Sequence, residues 1–319
     1  MLRGRLSRWS TPFPLAAPMS ADSPLPPIAL VLGPMRLPFL LLTPASLLPG
    51  IGAALLGGQP SFGAIALVFL GALAAHISVN AFNEWLDFRS GLDAMTCRTP
   101  FSGGSGSLPA RPDLAPLALA MALISLLVCI ATGLFFVARQ GMALLPIGVA
   151  GVALVLGYTR LITRSPALCL IAPGLGFGPL MVLGSEIALT GQASATGVAA
   201  SLPALFLVSG LLLLNQFPDV DADRAVGRRH LPIVIGLAAS ARVFAALVVA
   251  GFAVVALTIA LRLLPPACAL GLLPALIAVP MLRTVLRDAT HPERLHKAMG
   301  MNVAITLLMP ALVGLGLFV

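Results

Sequence analysis

The chain has 319 residues, 59% of them hydrophobic and only 9% charged, with a mean hydropathy of +1.03. Soluble domains carry roughly 25% charged residues, so this composition excludes a soluble fold. The net charge of +8 would suggest nucleic acid in a soluble protein. Here the cations sit in loops and at the ends of apolar runs, where they set topology, and no nucleic-acid partner is expected.

Residues 1–30 are Pro-rich and carry Arg3, Arg5 and Arg8. They lack a continuous apolar stretch, which argues against a secretory signal, and they read as a disordered basic arm. A transit peptide and a start at Met19 stay open. Residues 31–319 read as one transmembrane domain. Apolar runs predict nine spans: 36–57, 62–84, 113–134, 142–158, 166–189, 197–217, 239–260, 265–283 and 298–318. Their lengths approach or exceed the ~20 residues that cross a hydrocarbon core. Lipid demands internally satisfied backbones, and the ~10-residue alternation of a membrane barrel is missing, so the expectation is an all-α polytopic bundle.

All Lys and Arg except Arg139 and Arg262 fall on the side shared by the N-terminus and the loops near 85–112, 159–165, 218–238 and 284–297. The positive-inside rule places that side in the cytoplasm, and an odd number of spans places Val319 outside. The four scattered cysteines, Cys97, Cys129, Cys169 and Cys268, lack the clustering of a zinc or disulfide site and read as apolar fillers.

Six of the eleven acidic residues lie in two short windows. The first is Asn80-Ala-Phe-Asn83-Glu84-Trp-Leu-Asp87-Phe-Arg89-Ser-Gly-Leu-Asp93. Its Asn80, Asn83 or Glu84, and Asp87 share one helical face. The second, Asn215-Gln-Phe-Pro-Asp219-Val-Asp221-Ala-Asp223-Arg224, repeats Asn215, Asp219 and Asp223 every four residues, and Asp221 falls off that phase. Carboxylates at the edge of a bundle are costly to ionise unless cations offset them. Hard oxygen ligands suit Mg²⁺, and neighbouring arginines complete the chemistry expected around a diphosphate. The Gly-rich turn Phe101-Ser-Gly-Gly-Ser-Gly-Ser107 offers backbone N–H donors. Either cluster alone fits an ordinary polar helix end; two with the same order on one side do not.

These windows resemble the UbiA superfamily of intramembrane polyprenyltransferases, in Asn83-Glu84-x-x-Asp87 and Asp219-x-x-x-Asp223. The spacing on to Asp93 and the run from Asn215 through Pro232 are most similar to the 1,4-dihydroxy-2-naphthoate branch. The resemblance implies nine helices around a central cavity that opens to lipid, and Mg²⁺-dependent transfer of a polyprenyl group from its diphosphate to an aromatic acceptor. It implies catalytic roles for Asp87, Asp219 and Asp223, and a metal site of Asn83, Glu84, Asp87, Asp93, Asp219 and Asp223. Diphosphate contacts fall to Arg98, Arg164, Arg228, Arg229 and Tyr158, with Asn80 and Asn215 in support. Glu84 stands where the family usually has Asp. The implied setting is a bacterial inner membrane with both motifs cytoplasmic. Alternatives are a 4-hydroxybenzoate, homogentisate, chlorophyllide or lipid acceptor, or a cation-coupled transporter. Prenyl length and oligomeric state stay open.

Glu186 reads as a functional candidate or a solvated end residue, His76 as a packing histidine, His230 as a loop residue, and Arg36 as a topology signal. The run Arg283, Arg287, Arg294 and Lys297 reads as topology control and headgroup contact.

Overall fold

The computed structural model describes residues 27–96 and 98–319. Most of the predicted arm (residues 1–26) and Cys97 therefore lie outside the described residues. The expected arm boundary at residue 30 falls inside a short helix, Pro27–Leu32, where a proline at the first helical position precedes an apolar run.

Among the described residues, eight helical segments are long and apolar enough to cross a membrane. They are α1 Leu37–Gly57, α2 Phe62–Ser90, α3 Pro112–Gln140, α5 Pro166–Thr190, α6 Ala195–Asn215, α7 Leu237–Ala260, α8 Pro266–Arg287 and α9 His296–Gly316. The shorter apolar helix α4, Met142–Gly157, occupies the remaining predicted span. Two helices run six residues beyond their expected ends, α3 to Gln140 rather than 134 and α2 to Ser90 rather than 84; the second bears on the site. Polar side chains in its last turns are buried against partners instead of ending the helix. The stop comes from Gly91, which adopts φ +78 and donates its N–H to Asp87 O and Phe88 O, the left-handed cap that glycine accepts without strain.

The most enclosed windows belong to α6 (72% buried) and α1 (61%), whereas α3 (17%) lies on the outside. Helix α6 packs on α5, α7 and α9, and α1 on α5, α6 and α9. Close approach depends on small residues, as expected where lipid supplies no hydrophobic drive between helices. A Cβ on Gly174 would lie 2.1 Å from Leu205 O, and one on Gly178 2.7 Å from Ser201 O. Just after Gly174, and around Gly178 itself, helix α5 widens into a π turn over Gly176–Leu180, which includes Pro179. A proline removes a backbone donor, and such a widened turn often marks a functional region. Helix α4 touches its neighbours α2, α3 and α5 only lightly, which leaves space on its inner side.

Candidate functional site

That space is a cavity of about 770 Å³ lined by α2, α3, α4, α5 and α6, with the first half of α1. One stripe of α2 forms its longest wall. Val68, Ala72, Ala75 and Val79 give way to Asn80, Asn83 and Asp87, so one helix face turns from apolar to acidic along its length. At 1.5 Å per residue the stripe covers about 28 Å. The far part of the cavity is hydrocarbon-like and its mouth is polar.

The mouth joins the two acidic windows. Asp87 comes from α2. Asn215 ends α6, and Asp219 and Asp223 follow across a break at Pro218 and a short helix, Val220–Ala225. All four line the cavity. Arg228 bridges the windows, donating from Nη2 to Asp87 Oδ1 and from Nη1 to Asp223 Oδ1 at 2.8 Å. His230 Nε2 lies 2.6 Å from Asp223 Oδ2. Asn83 donates to Thr159 Oγ1 at 3.1 Å and accepts from Arg36 Nη2 at 3.3 Å. Asn80 donates to Met35 O at 3.0 Å.

Residues 45–306 match the model of the UbiA prenyltransferase family. The chain belongs to that family. A 1,4-dihydroxy-2-naphthoate octaprenyltransferase of Bacillus subtilis (strain 168) is 32% identical over 181 residues, 53% of this chain and 55% of that protein. The chain thus matches about half the length of this curated relative. A digeranylgeranylglyceryl phosphate synthase structure shares 16% identity with a TM-score of 0.65, covering 91% of this chain and 98% of that one. A UbiA homologue from Archaeoglobus fulgidus bound to GPP and Mg²⁺ shares 13% identity with a TM-score of 0.60, covering 91% and 99%. An apo UbiA homologue from Aeropyrum pernix K1 shares 17% identity with a TM-score of 0.64, covering 88% and 96%. At these identities the structural likeness is one of fold.

Within this UbiA family member several oxygens at the mouth are buried without a hydrogen-bond partner: Asp93 Oδ2, Asn215 Oδ1 and Asp219 Oδ1. Burial pushes the Asp93 carboxyl up to about 7, and Glu84 adds to the shift. Burial also pushes Asp219 up to about 7, reinforced by Asp223 and opposed by Arg228. Burial works against the charge on Arg228, but Asp87 and Asp223 outweigh it and hold the guanidinium pKa above its ordinary value. Burial keeps the Tyr158 phenol protonated, above its usual range; Tyr158 lines the cavity.

Other expected site residues lie elsewhere. Arg164 and Arg229 are exposed and outside the cavity wall. Arg164 closes the short helical turn Ile162–Arg164, and of Arg229 the backbone reaches in, donating to Thr163 O at 3.0 Å. Arg98 is exposed and outside the wall, with its guanidinium laid over Gly106. Glu84 is fully buried but absent from the wall, because its carboxylate turns toward Arg36 and Ser105. Asp221 points to solvent and pairs with Arg224 at 3.1 Å.

Sequence reasoning missed Arg36 and His230, both in the cavity wall. The only signal for His230 was its place in the run Gly227-Arg-Arg-His-Leu-Pro232, and Arg36 had none. His76 also lines the cavity, with Nδ1 2.9 Å from Thr43 Oγ1 and its ring edge-on to Phe177.

Proposed function

We propose that the protein transfers a polyprenyl group from its diphosphate to an aromatic quinone precursor, with 1,4-dihydroxy-2-naphthoate as the acceptor. The observation that carries the reading is the convergence of two acidic windows, distant in sequence, at the polar mouth of a long apolar cavity. The naphthoate relative supports the acceptor. The positive-inside count supports placing the motifs in the cytoplasm.

Mg²⁺ fits the residues present. The unpartnered buried atoms at the mouth are hard oxygens on Asp93, Asn215 and Asp219, the donor type this ion takes. No three His, Cys, Asp or Glu among the described residues converge closely enough to cage a metal by themselves, so waters and phosphate oxygens would complete the shell of an ion held by one or two of these carboxylates. Asn83, Asp87, Asp219, Asp223 and Asp93 are the residues from which its ligands would come, and it would supply charge neutralisation for the diphosphate. The bound homologue from Archaeoglobus supports the same ligand class.

Arg228 gives the mouth a guanidinium suited to phosphate oxygens, and Asp87 and Asp223 keep it charged. The apolar wall holds the prenyl tail and excludes water that would capture an allylic cation. At the reacting carbon the bond to diphosphate breaks, and diphosphate leaves with the electron pair. A ring carbon of the acceptor supplies the pair for the new carbon–carbon bond. With a naphthoate acceptor the ring carboxylate leaves as CO₂. The test incubates purified protein with Mg²⁺, a prenyl diphosphate and a panel of aromatic acids, followed by mass spectrometry. A decarboxylated prenyl naphthalenediol is expected; product from a different acid alone would reassign the acceptor.

A further inference from the structure

We propose that Glu84 is a positioning residue that latches the Phe101–Ser107 loop across the mouth of the cavity, and that it is not a metal ligand. The catalytic part of this inference rests on the transfer reaction proposed above; the structural part does not.

The carboxylate of Glu84 sits behind the cavity wall, saturated by Arg36 and Ser105. Oε2 accepts from Arg36 Nε at 3.2 Å and Arg36 Nη2 at 3.0 Å. Oε1 accepts from Ser105 N at 3.0 Å and from the Ser105 hydroxyl. A carboxylate offers about four lone-pair sites, so these four donors leave none for an ion. Ser105 Oγ in turn accepts from Ser107 N at 3.1 Å. Gly33, just before Arg36, packs so close that a Cβ there would lie 1.8 Å from Ser107 Oγ. Three separate stretches of chain therefore meet at one buried glutamate.

What the latch holds is part of the site. Phe101, Ser102, Gly103 and Gly104 belong to the cavity wall. Gly103 and Gly104 adopt φ +84 and +74, a conformation that side chains rarely take. A Cβ on Gly104 would stand 2.9 Å from Asp93 Oδ1, so the loop backbone lies directly on an acidic residue of the mouth. Thr99 Oγ1 fixes the near end of the loop by accepting from Ser102 N at 2.9 Å, and Glu84 fixes the far end. The extra methylene of Glu supplies the reach: an aspartate would draw the carboxylate back by about 1.5 Å, beyond hydrogen-bonding distance of Ser105 N.

The test uses the full chain, free of metal and substrate, and compares Glu84→Gln, Glu84→Asp, Ser105→Ala and the Glu84→Gln/Ser105→Ala double variant. Hydrogen exchange of peptides across 98–107 should speed up at least about tenfold in every variant, with α6 unchanged, because local opening sets the rate. Unchanged loop exchange in both Ser105→Ala and Glu84→Gln would overturn the latch, whatever reaction the enzyme catalyses. In the transfer assay Glu84→Gln and Ser105→Ala should each raise KM for the prenyl diphosphate by a similar factor of about ten, and the double variant should be no worse than the poorer of these two. A large rise in the Mg²⁺ requirement of Glu84→Gln that Ser105→Ala does not share would instead return Glu84 to the metal.

Discussion

Two buried glutamates at opposite ends of the bundle use the same local chemistry. Glu84, near the end of α2, accepts from the backbone N–H and hydroxyl of Ser105. Glu186, near the end of α5, accepts from the backbone N–H and hydroxyl of Ser194, at 3.2 and 2.5 Å. The difference lies in the second oxygen. At Glu84 it meets Arg36; at Glu186 it has no hydrogen-bond partner and rests against Gly197 in the first turn of α6, where the helix dipole favours negative charge. One serine begins a transmembrane helix and the other belongs to a loop that walls the active-site mouth. A carboxylate–serine anchor thus carries no function of its own. What its serine is attached to decides whether it matters to chemistry or only to folding.

The largest effects fall on the acidic mouth that this loop walls. Asp87→Ala and Asp219→Ala should each lower transfer by at least about 10²–10³-fold, the scale on which removing electrostatic stabilisation of a developing charge is felt. The protein should remain in the membrane. Full activity in either variant, measured by radiolabelled prenyl incorporation, would detach the acidic mouth from the reaction.

Arg228→Ala should come next, with a loss of about 10²-fold in activity and a fall in thermal stability. It leaves Asp87 and Asp223 facing each other without their shared cation, and breaking a buried ion pair by removing one partner costs about 3–5 kcal/mol. Arg228→Lys should recover little, because a single ammonium cannot donate in the fork geometry that reaches both carboxylates. A lysine variant with wild-type turnover would show that only charge is needed.

Both regions differ in how far the sequence announced them. Among the described residues the apolar helices α1–α9 were legible because lipid leaves an apolar run no alternative to internal hydrogen bonding. The spacing that separates Asp219 and Asp223 from Asp221 was legible from local periodicity, which holds within the one turn from Asp219 to Asp223 even though the helix breaks between Asn215 and Asp219. The end of α2 was legible only in part: the shared face of Asn80, Asn83 and Asp87 followed from helical spacing, but the partners that bury Glu84 and Asp87 are distant in sequence. Arg36 is 48 residues from Glu84, and nothing local marks a cation before a span as a buried partner rather than a topology signal. His230 was hidden in the same way, seven residues from Asp223 across a turn whose direction periodicity does not encode. Arg164 and Arg229 are basic residues near the motifs whose side chains stay exposed outside the cavity wall, and Arg98 lies over Gly106 of the loop rather than in the wall.

A smaller effect concerns pH. Asp93 and Asp219 have carboxyls raised from 3.8 to about 7, so between these values the folded protein holds protons that the unfolded chain has released. Stability of the metal-free protein should therefore decline as pH rises through this window. Thermal unfolding in EDTA should give a midpoint a few degrees higher at pH 5.5 than at pH 8. Added Mg²⁺ should narrow the gap by binding the ionised form. A midpoint that rises with pH in EDTA would remove these two groups from the acidic mouth's energetics.

The smallest change tests the far end. Glu186→Gln keeps the oxygen that Ser194 addresses and replaces the unpartnered one with an amide, so the serine contacts become neutral rather than charge-assisted. Such a conversion costs on the order of 1 kcal/mol, or about 2 °C in a chain of this size. Neither the prenyl diphosphate KM nor kcat should move, because nothing anchored by Ser194 belongs to the mouth. Equal kinetic losses in Glu186→Gln and Glu84→Gln would mean that both act by loosening the bundle as a whole. A stability loss without a kinetic one at Glu186, beside a KM change and faster loop exchange at Glu84, would separate holding a helix in place from holding a site in place.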